Sequence, residues 1–339
     1  MHKKKLKMPK GKRTAQNALH SGEFLGAMLS GIAPRSTNAA KIHRLYRDGH
    51  ATEDEFKDAI SKDALRLVDA QRHFAFESAG QLDWPDVMRP LTRCFEGFTR
   101  RASSGEDAAG PITRWFRTDT FYRKPLVSGR IDCAGGELAG FLPDAGRNAV
   151  VFLPSPYSLA RMVENTFYQD DCALAIDYAR AVSKSARALH AKGYRCILLV
   201  EPFVGYEQSR GIYHIPDWFP KPISDVRCPG MTVGINFPAA EIREVLPFLD
   251  GAGVDFVGVD TIFATDFKVE IDKDVLLGVV DASRPTVESH AEIASRVKDF
   301  LSKASFSGRY YVGPNDRLYD VPFEIALSKV SALAQFRGV

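Results

Sequence analysis

Ala149-Val150-Val151-Phe152-Leu153 runs directly into Pro154-Ser155-Pro156-Tyr157. A short apolar run rich in valine that closes on a proline-bearing turn reads as a strand buried on both faces. The pattern recurs down the chain. Cys196-Ile197-Leu198-Leu199-Val200 runs into Glu201-Pro202, and Thr232-Val233-Gly234-Ile235 into Asn236. Val254 to Val259 ends on Asp260, and Val275 to Val280 on Asp281. Tyr310-Tyr311-Val312 leads into Gly313-Pro314-Asn315-Asp316. Upstream, Phe24 to Ile32 reads as a first strand, stopped by Pro34. Helical periodicity fills most of the intervals: 53–78, 170–192, 238–251, 287–302 and 322–336. Buried strands alternating with helices predict an α/β fold with a parallel sheet, here a (β/α)8 TIM barrel. In that architecture polar residues at the C-terminal strand ends converge on one mouth.

The chain has 339 residues, of which 45% are hydrophobic, 26% charged and 11% aromatic. One barrel takes roughly 250 residues, so a single domain over 23–339 leaves length for an insertion. The segment at about 81–135 supplies it: Trp84, Trp115, Phe116, Phe121 and Tyr122 stand among arginines, and Ala102 to Gly110 is loop-like in composition. The net charge of +3 is concentrated in His2-Lys3-Lys4-Lys5-Leu6-Lys7 and Lys10-Gly11-Lys12-Arg13, so residues 1–22 read as a disordered basic tail. The remainder shows no nucleic-acid footprint. No apolar run approaches the roughly 20 residues that span a bilayer, and the basic start lacks a signal-peptide core. A cytoplasmic protein without nucleic-acid or membrane partners is the expectation. Five widely spaced cysteines without Cys-x-x-Cys argue against a disulfide framework or a zinc ribbon.

Dinucleotide, phosphate-loop, nucleophile-elbow and His-Glu-x-x-His signatures are missing, so chemistry falls to the strand ends. Glu201, Asp260, Asp281 and Asp316 form an acidic set that can bind an amine, hold a hard cation or move protons. His214 lies in the long aromatic loop 201–230 and joins Asp260 and Asp316 as a candidate catalytic group. Arg114-Trp115-Phe116-Arg117 and Tyr122-Arg123-Lys124-Pro125 combine rings with cations suited to an anionic or conjugated ligand.

Taken together, several segments resemble the catalytic barrel of cobalamin-independent methionine synthase. Gly31-Ile32-Ala33-Pro34-Arg35-Ser36 is similar to its Gly-Ser-Phe-Pro-Arg-Thr opening, and Gln81-Leu82-Asp83-Trp84-Pro85-Asp86 to its Asp-Gly-Glu/Gln segment. Leu153 to Ala160 resembles its Pro-Gly-Pro-Tyr-Thr-Leu-Ala turn, and Glu201-Pro202 its Glu-Pro strand end. Leu277-Gly278-Val279-Val280-Asp281 with Val287-Glu288-Ser289 resembles its Leu-Gly-Val-Val-Asp and Val-Glu-Ser block. The resemblance runs from about Gly31 to the C-terminus and implies a short, single-barrel member. It implies an amino-acid pocket built from Gly31 with Ile32, Gln81 and Asp170. Glu201, Tyr157 and Trp115 complete the predicted substrate-binding set.

The family also implies zinc, held through His-x-Cys, a Glu and the Cys of a Pro-Asp-Cys-Gly turn. The matching positions here are Asn236, Asp260 and Asp316, without histidine or cysteine. Such an oxygen set suits Mg, Mn or Fe(II) better than thiophilic zinc, so a divalent metal at these residues is the expected cofactor. Three readings stay open. The first is a methyltransferase acting on a small thiol or amino acid, supplied by a methyl donor or a methyl-carrier protein. The second is another reaction on the same barrel, a lyase, decarboxylase or hard-metal enzyme. The third is a non-catalytic accessory protein.

Overall fold

The computed structural model describes residues 22–100, 109–116, 121–143, 146, 148–264, 266–306 and 308–339. The predicted tail, apart from Gly22, and residues 102–108 of the predicted loop lie outside them. Seven strands form one parallel, curled sheet: β1 Phe24–Ala27, β2 Ala149–Pro154, β3 Tyr194–Val200, β4 Thr232–Phe237, β5 Phe256–Asp260, β6 Asp274–Val280 and β7 Tyr310–Pro314. Their order across the sheet is β1-β7-β6-β5-β4-β3-β2. Each apolar run of the sequence supplies one strand. β2, β5 and β7 are buried along their whole length, as continuous apolar runs covered on both faces must be. Gly234 is required in β4, because a Cβ there would collide with the Phe256 ring of β5.

The two edges of this sheet are bridged to the same short segment. Phe74 pairs with Ala27 of β1, and Glu77 with Ala149 of β2, both in parallel sense. Ala75 N–H donates to Ala27 O at 2.8 Å, and Val150 N–H to Glu77 O at 2.9 Å. The sequence predicts helix here, over 53–78; the helix ends at Ala70 instead. Gln71 explains the switch. Its buried side-chain amide donates to Leu67 O (2.9 Å) and Ser78 O (2.7 Å) and accepts Ser78 N–H (2.8 Å). The chain then turns through His73 at φ 71° and becomes extended.

Helices α1 Thr37–Arg47, α2 Glu53–Ala70, α3 Pro156–Met162, α4 Asp171–Ala191, α5 Pro202–Gln208, α6 His290–Lys303 and α7 Phe323–Gln335 lie between or after the strands. Capping boxes at Thr52/Glu55 and Ser289/Glu292 start α2 and α6. The second of these sets the start of α6 at His290 rather than Val287. Three other boundaries differ. β1 covers only 24–27 of the predicted 24–32. The helix predicted over 238–251 is reduced to Ile242–Val245 and a 3-10 turn, Leu246–Phe248. Ala239 takes φ 55° there and gives its N–H to Asp260, which is incompatible with a helical first turn. The loop 201–230 holds α5 and a turn of helix at Pro220–Ser224.

Within 81–135 the described residues form an antiparallel hairpin, Ile112–Arg114 with Phe121–Arg123. Phe98–Thr99 and Leu126–Val127 join Glu164–Asn165 in a small three-stranded sheet. The hairpin leads into Trp115, which is buried over Arg317 at the end of β7. Among the described residues, no helix is long and apolar enough to cross a membrane.

Candidate active site at the strand tips

The C-terminal ends of β5, β6 and β7 open into one pocket of about 340 Å³, lined by Asp260, Asp281, Arg284, Asn315, Asp316 and Arg317 among others. Three of the four acids predicted to converge do share a mouth. Their chemical states differ.

Asp260 is buried and fully engaged. Oδ1 accepts the N–H groups of Ile262 and Phe263, both at 2.9 Å. Oδ2 accepts Ala239 N–H (2.9 Å) and the Asn315 side-chain amide (3.1 Å). Burial pushes its carboxyl upward despite these four donors. Asn315 is fixed in turn, accepting Ala282 N–H at 2.9 Å. Asp260 therefore ties the loops after β4, β5 and β7 together. Asn236 lies beneath, buried, with its amide donating to Asn315 O at 3.4 Å.

Asp281 accepts the N–H and hydroxyl of Ser283 and pairs with Arg284 at 3.4 Å. Burial opposes its ionisation, but the Ser283 bonds and the Arg284 charge outweigh it and hold the carboxyl below its usual range. Asp316 is different. Oδ1 accepts Arg317 N–H at 2.7 Å, and Oδ2 has no hydrogen-bond partner among the described residues. Burial lifts its carboxyl to about 6, against the pull of Arg317 and with the charges of Asp320 and Asp260 adding. A half-buried acid with one open oxygen, poised near neutrality, is equipped to accept a proton.

Glu201 is placed otherwise. Fully buried, its Oε1 accepts Ser158 hydroxyl (2.7 Å) and the N–H groups of Phe203 and Val204 (both 3.0 Å). Oε2 accepts Ser158 N–H (3.0 Å) and the Ser155 hydroxyl. It caps α5 and binds α3 to it, and burial raises its carboxyl. Gln81 likewise faces backbone: its amide accepts Phe152 N–H at 2.6 Å and donates to Phe152 O at 3.2 Å, in the manner of a neighbouring strand. Asp170 is an exposed N-cap of α4, accepting Ala173 N–H at 2.8 Å. Tyr157 donates to Glu207 at 2.7 Å among the rings of Phe203, Trp218 and Phe219. His214 is exposed and outside the residues lining the pocket.

Gly31 abuts the β7 end: a Cβ added there would lie 2.8 Å from Arg317 Cβ and 3.1 Å from its Cα. Ile32 beside it is buried in the core. Gly31→Ala is expected to push the 315–317 turn outward and to destabilise the protein by about 1–3 kcal/mol, read as a fall in thermal midpoint.

Sequence reasoning passed over Arg317 and Arg284 as site residues. The sequence signal for the first is only an arginine in the turn after an apolar strand; that Gly31 faces it comes from the fold. A second cavity of about 190 Å³ lies under the hairpin, lined by Arg114, Phe116, Lys124, Arg161, Phe203 and Tyr206 among others. Phe116 thus lines this cavity, and its neighbour Trp115 packs on Arg317 of the first.

The residues that the motif resemblance matches to the zinc ligands do not fit zinc. Both Asp260 oxygens already accept two N–H groups each. Asn236 offers a neutral amide, and no thiolate or imidazole replaces them. Among the described residues no three His, Cys, Asp or Glu side chains are grouped to hold an ion. The cysteines are elsewhere, and burial drives Cys94 and Cys228 up to about 12, away from thiolate character.

No protein-family model matches the chain. It is 24% identical over 317 residues to the methionine synthase of Sulfolobus acidocaldarius, covering 91% of this chain and 89% of that protein. With the methionine synthase of Pyrococcus furiosus it shares 22% over 330 residues, covering 93% of each. The structure of a B12-independent methionine synthase from Shewanella sp. W3-18-1, in complex with selenomethionine, superposes with a TM-score of 0.70 at 16% identity, covering 91% of this chain and 96% of that one. The chain is similar to methionine synthases over nine-tenths of its length, and its fold is that of a B12-independent enzyme. The likeness read from its motifs extends over almost its whole length. Asn236, Asp260 and Asp316, which the motif resemblance matches to the family's zinc ligands, offer carboxylate and amide groups.

Proposed function

We propose that the chain is a methyltransferase of the methionine-synthase type, acting on a small thiol or amino-acid acceptor without thiolate–zinc activation. The similarity to methionine synthases over nine-tenths of the chain supports the reaction class. The observation that carries the altered chemistry is Asp316: an acid raised to about 6, with an open oxygen, in the pocket at the strand tips. In this reading 74–77 serves as the eighth strand, closing the sheet into a barrel around 23–339 and gathering the strand ends at one mouth. The described residues of 81–135 form an insertion over that mouth.

Asp316 takes the proton of the acceptor's S–H or N–H group. The freed lone pair attacks the methyl carbon, and the bond from carbon to donor breaks with its electron pair leaving on the donor. The donor, a small molecule or a carrier protein, enters from the aromatic cavity beside Trp115 and Phe116. Asp260 and Asn315 hold the turn that carries Asp316, and Asp281 faces the acceptor's cationic end. A proton acceptor near pH 6 can replace metal activation because a thiol of ordinary pKa lies only a few units above it.

Purified protein incubated with isotope-labelled methyl donors and small thiol or amine acceptors is expected to yield the labelled methylated acceptor by mass spectrometry. No labelled product with any donor–acceptor pair, in protein shown to be folded, contradicts the assignment.

A further inference from the structure

Arg317 sits in the pocket wall with its charge incompletely met. It is 5% exposed. Its Nη2 reaches Asp320 only at 3.4 Å, and its buried Nε–H has no acceptor. The guanidinium carbon lies 4.6 Å over the Trp115 ring and 5.4 Å from that of Tyr319. Gly31 packs on its backbone, leaving that segment little freedom. A buried N–H without an acceptor is unfavourable, so the pocket gains when one arrives. A guanidinium packed on aromatic faces keeps its donors in one plane, and a carboxylate is the acceptor whose two oxygens match that plane.

The groups that would otherwise anchor an amino acid are engaged elsewhere. Gln81 is bonded to the Phe152 backbone, and Asp170 caps α4. We propose that Arg317 is the specificity-determining residue of this pocket, taking the carboxylate of a small substrate while Asp281 and Asp316 face its cationic or proton-bearing end. This assignment rests on the reading of the pocket as the substrate site.

Calorimetric titration of the full chain with methionine, its deaminated acid and its decarboxylated amine tests it. Wild type is expected to bind methionine and the acid at least about tenfold more tightly than the amine, a difference of about 1.4 kcal/mol. Arg317→Gln should erase that preference by weakening methionine and the acid without weakening the amine, and Arg317→Lys should restore part of it. A purely structural role would weaken all three probes alike. Thermal unfolding reports whether each variant is folded; if neither is, the wild-type preference of acid over amine decides alone. The proposal is overturned if wild type favours the amine, if neither carboxylate probe binds at about 10 mM, or if folded Arg317→Gln keeps the preference. These titrations need no turnover, so failure of methyl transfer and failure of this assignment are separately visible.

Discussion

Asp316→Asn is expected to lower kcat/KM for methyl transfer by about 10²–10⁴-fold, the range that a positioned general base contributes. In wild type, kcat/KM should climb as pH rises through about 6, where the Asp316 carboxyl loses its proton. The variant should lose that limb and stay low throughout. Stability should move the other way. The folded carboxyl is raised above its unfolded value, so between about pH 4 and 6 the native state binds more protons than the unfolded one. Wild type then loses stability as pH rises through this window, and above it carries a half-buried charge that asparagine does not. At pH 8 Asp316→Asn should be more stable than wild type by about 1–2 kcal/mol. Gain of stability with loss of turnover marks a group kept for chemistry. A variant with wild-type kcat/KM, or one whose pH limb persists, would remove Asp316 from the proton-transfer role.

Glu288→Gln is expected to cost about 3–5 kcal/mol of stability, because it leaves a buried cation without its counter-charge. Lys329 is fully buried on α7, and its ammonium donates to Glu288 at 2.9 Å and to Thr286 O. Arg296 stands 3.5 Å from the other Glu288 oxygen, which also accepts the N–H of Asp281 at 2.7 Å. One carboxylate thus joins α6, α7 and the end of β6. A fall of about 4–7 °C in thermal midpoint is expected for Glu288→Gln, and Glu288→Gln with Lys329→Met should recover most of it. A single-variant midpoint within one degree of wild type would show that the pair contributes little.

The parallel sheet was legible because its strands are continuous apolar runs, and those runs are what double burial requires. The start of α2 at Glu53 was equally legible, whereas the capping box at Ser289 went unread and α6 was expected from Val287. The segment 74–77 was not. Phe74-Ala75-Phe76-Glu77 is too short to show a period of its own, and the helical period of α2 runs into it. The break falls on His73 in a left-handed conformation, where a glycine would have announced the turn. The site divides in the same way. Proximity of Asp260, Asp281 and Asp316 follows from strand topology, which the sequence carries. Whether a carboxylate is free depends on donors from distant loops, which it does not. Glu201 and Asp260 are acids whose acceptor capacity is used by neighbouring N–H and hydroxyl groups, whereas Asp316, identical in type, has an oxygen to spare. His214 drew notice by residue type and its aromatic loop, and it is not among the residues that line the pocket. Arg317 was hidden because its importance comes from Trp115, some two hundred positions earlier, and from the room that Gly31 leaves.

Methyl transfer after exhaustive removal of metal, with residual zinc, iron and manganese measured in the same sample, addresses the pocket chemistry most directly. Proton acceptance by Asp316 predicts a rate retained to within about twofold of the untreated enzyme. A rate abolished by the chelator and restored by stoichiometric zinc would contradict it.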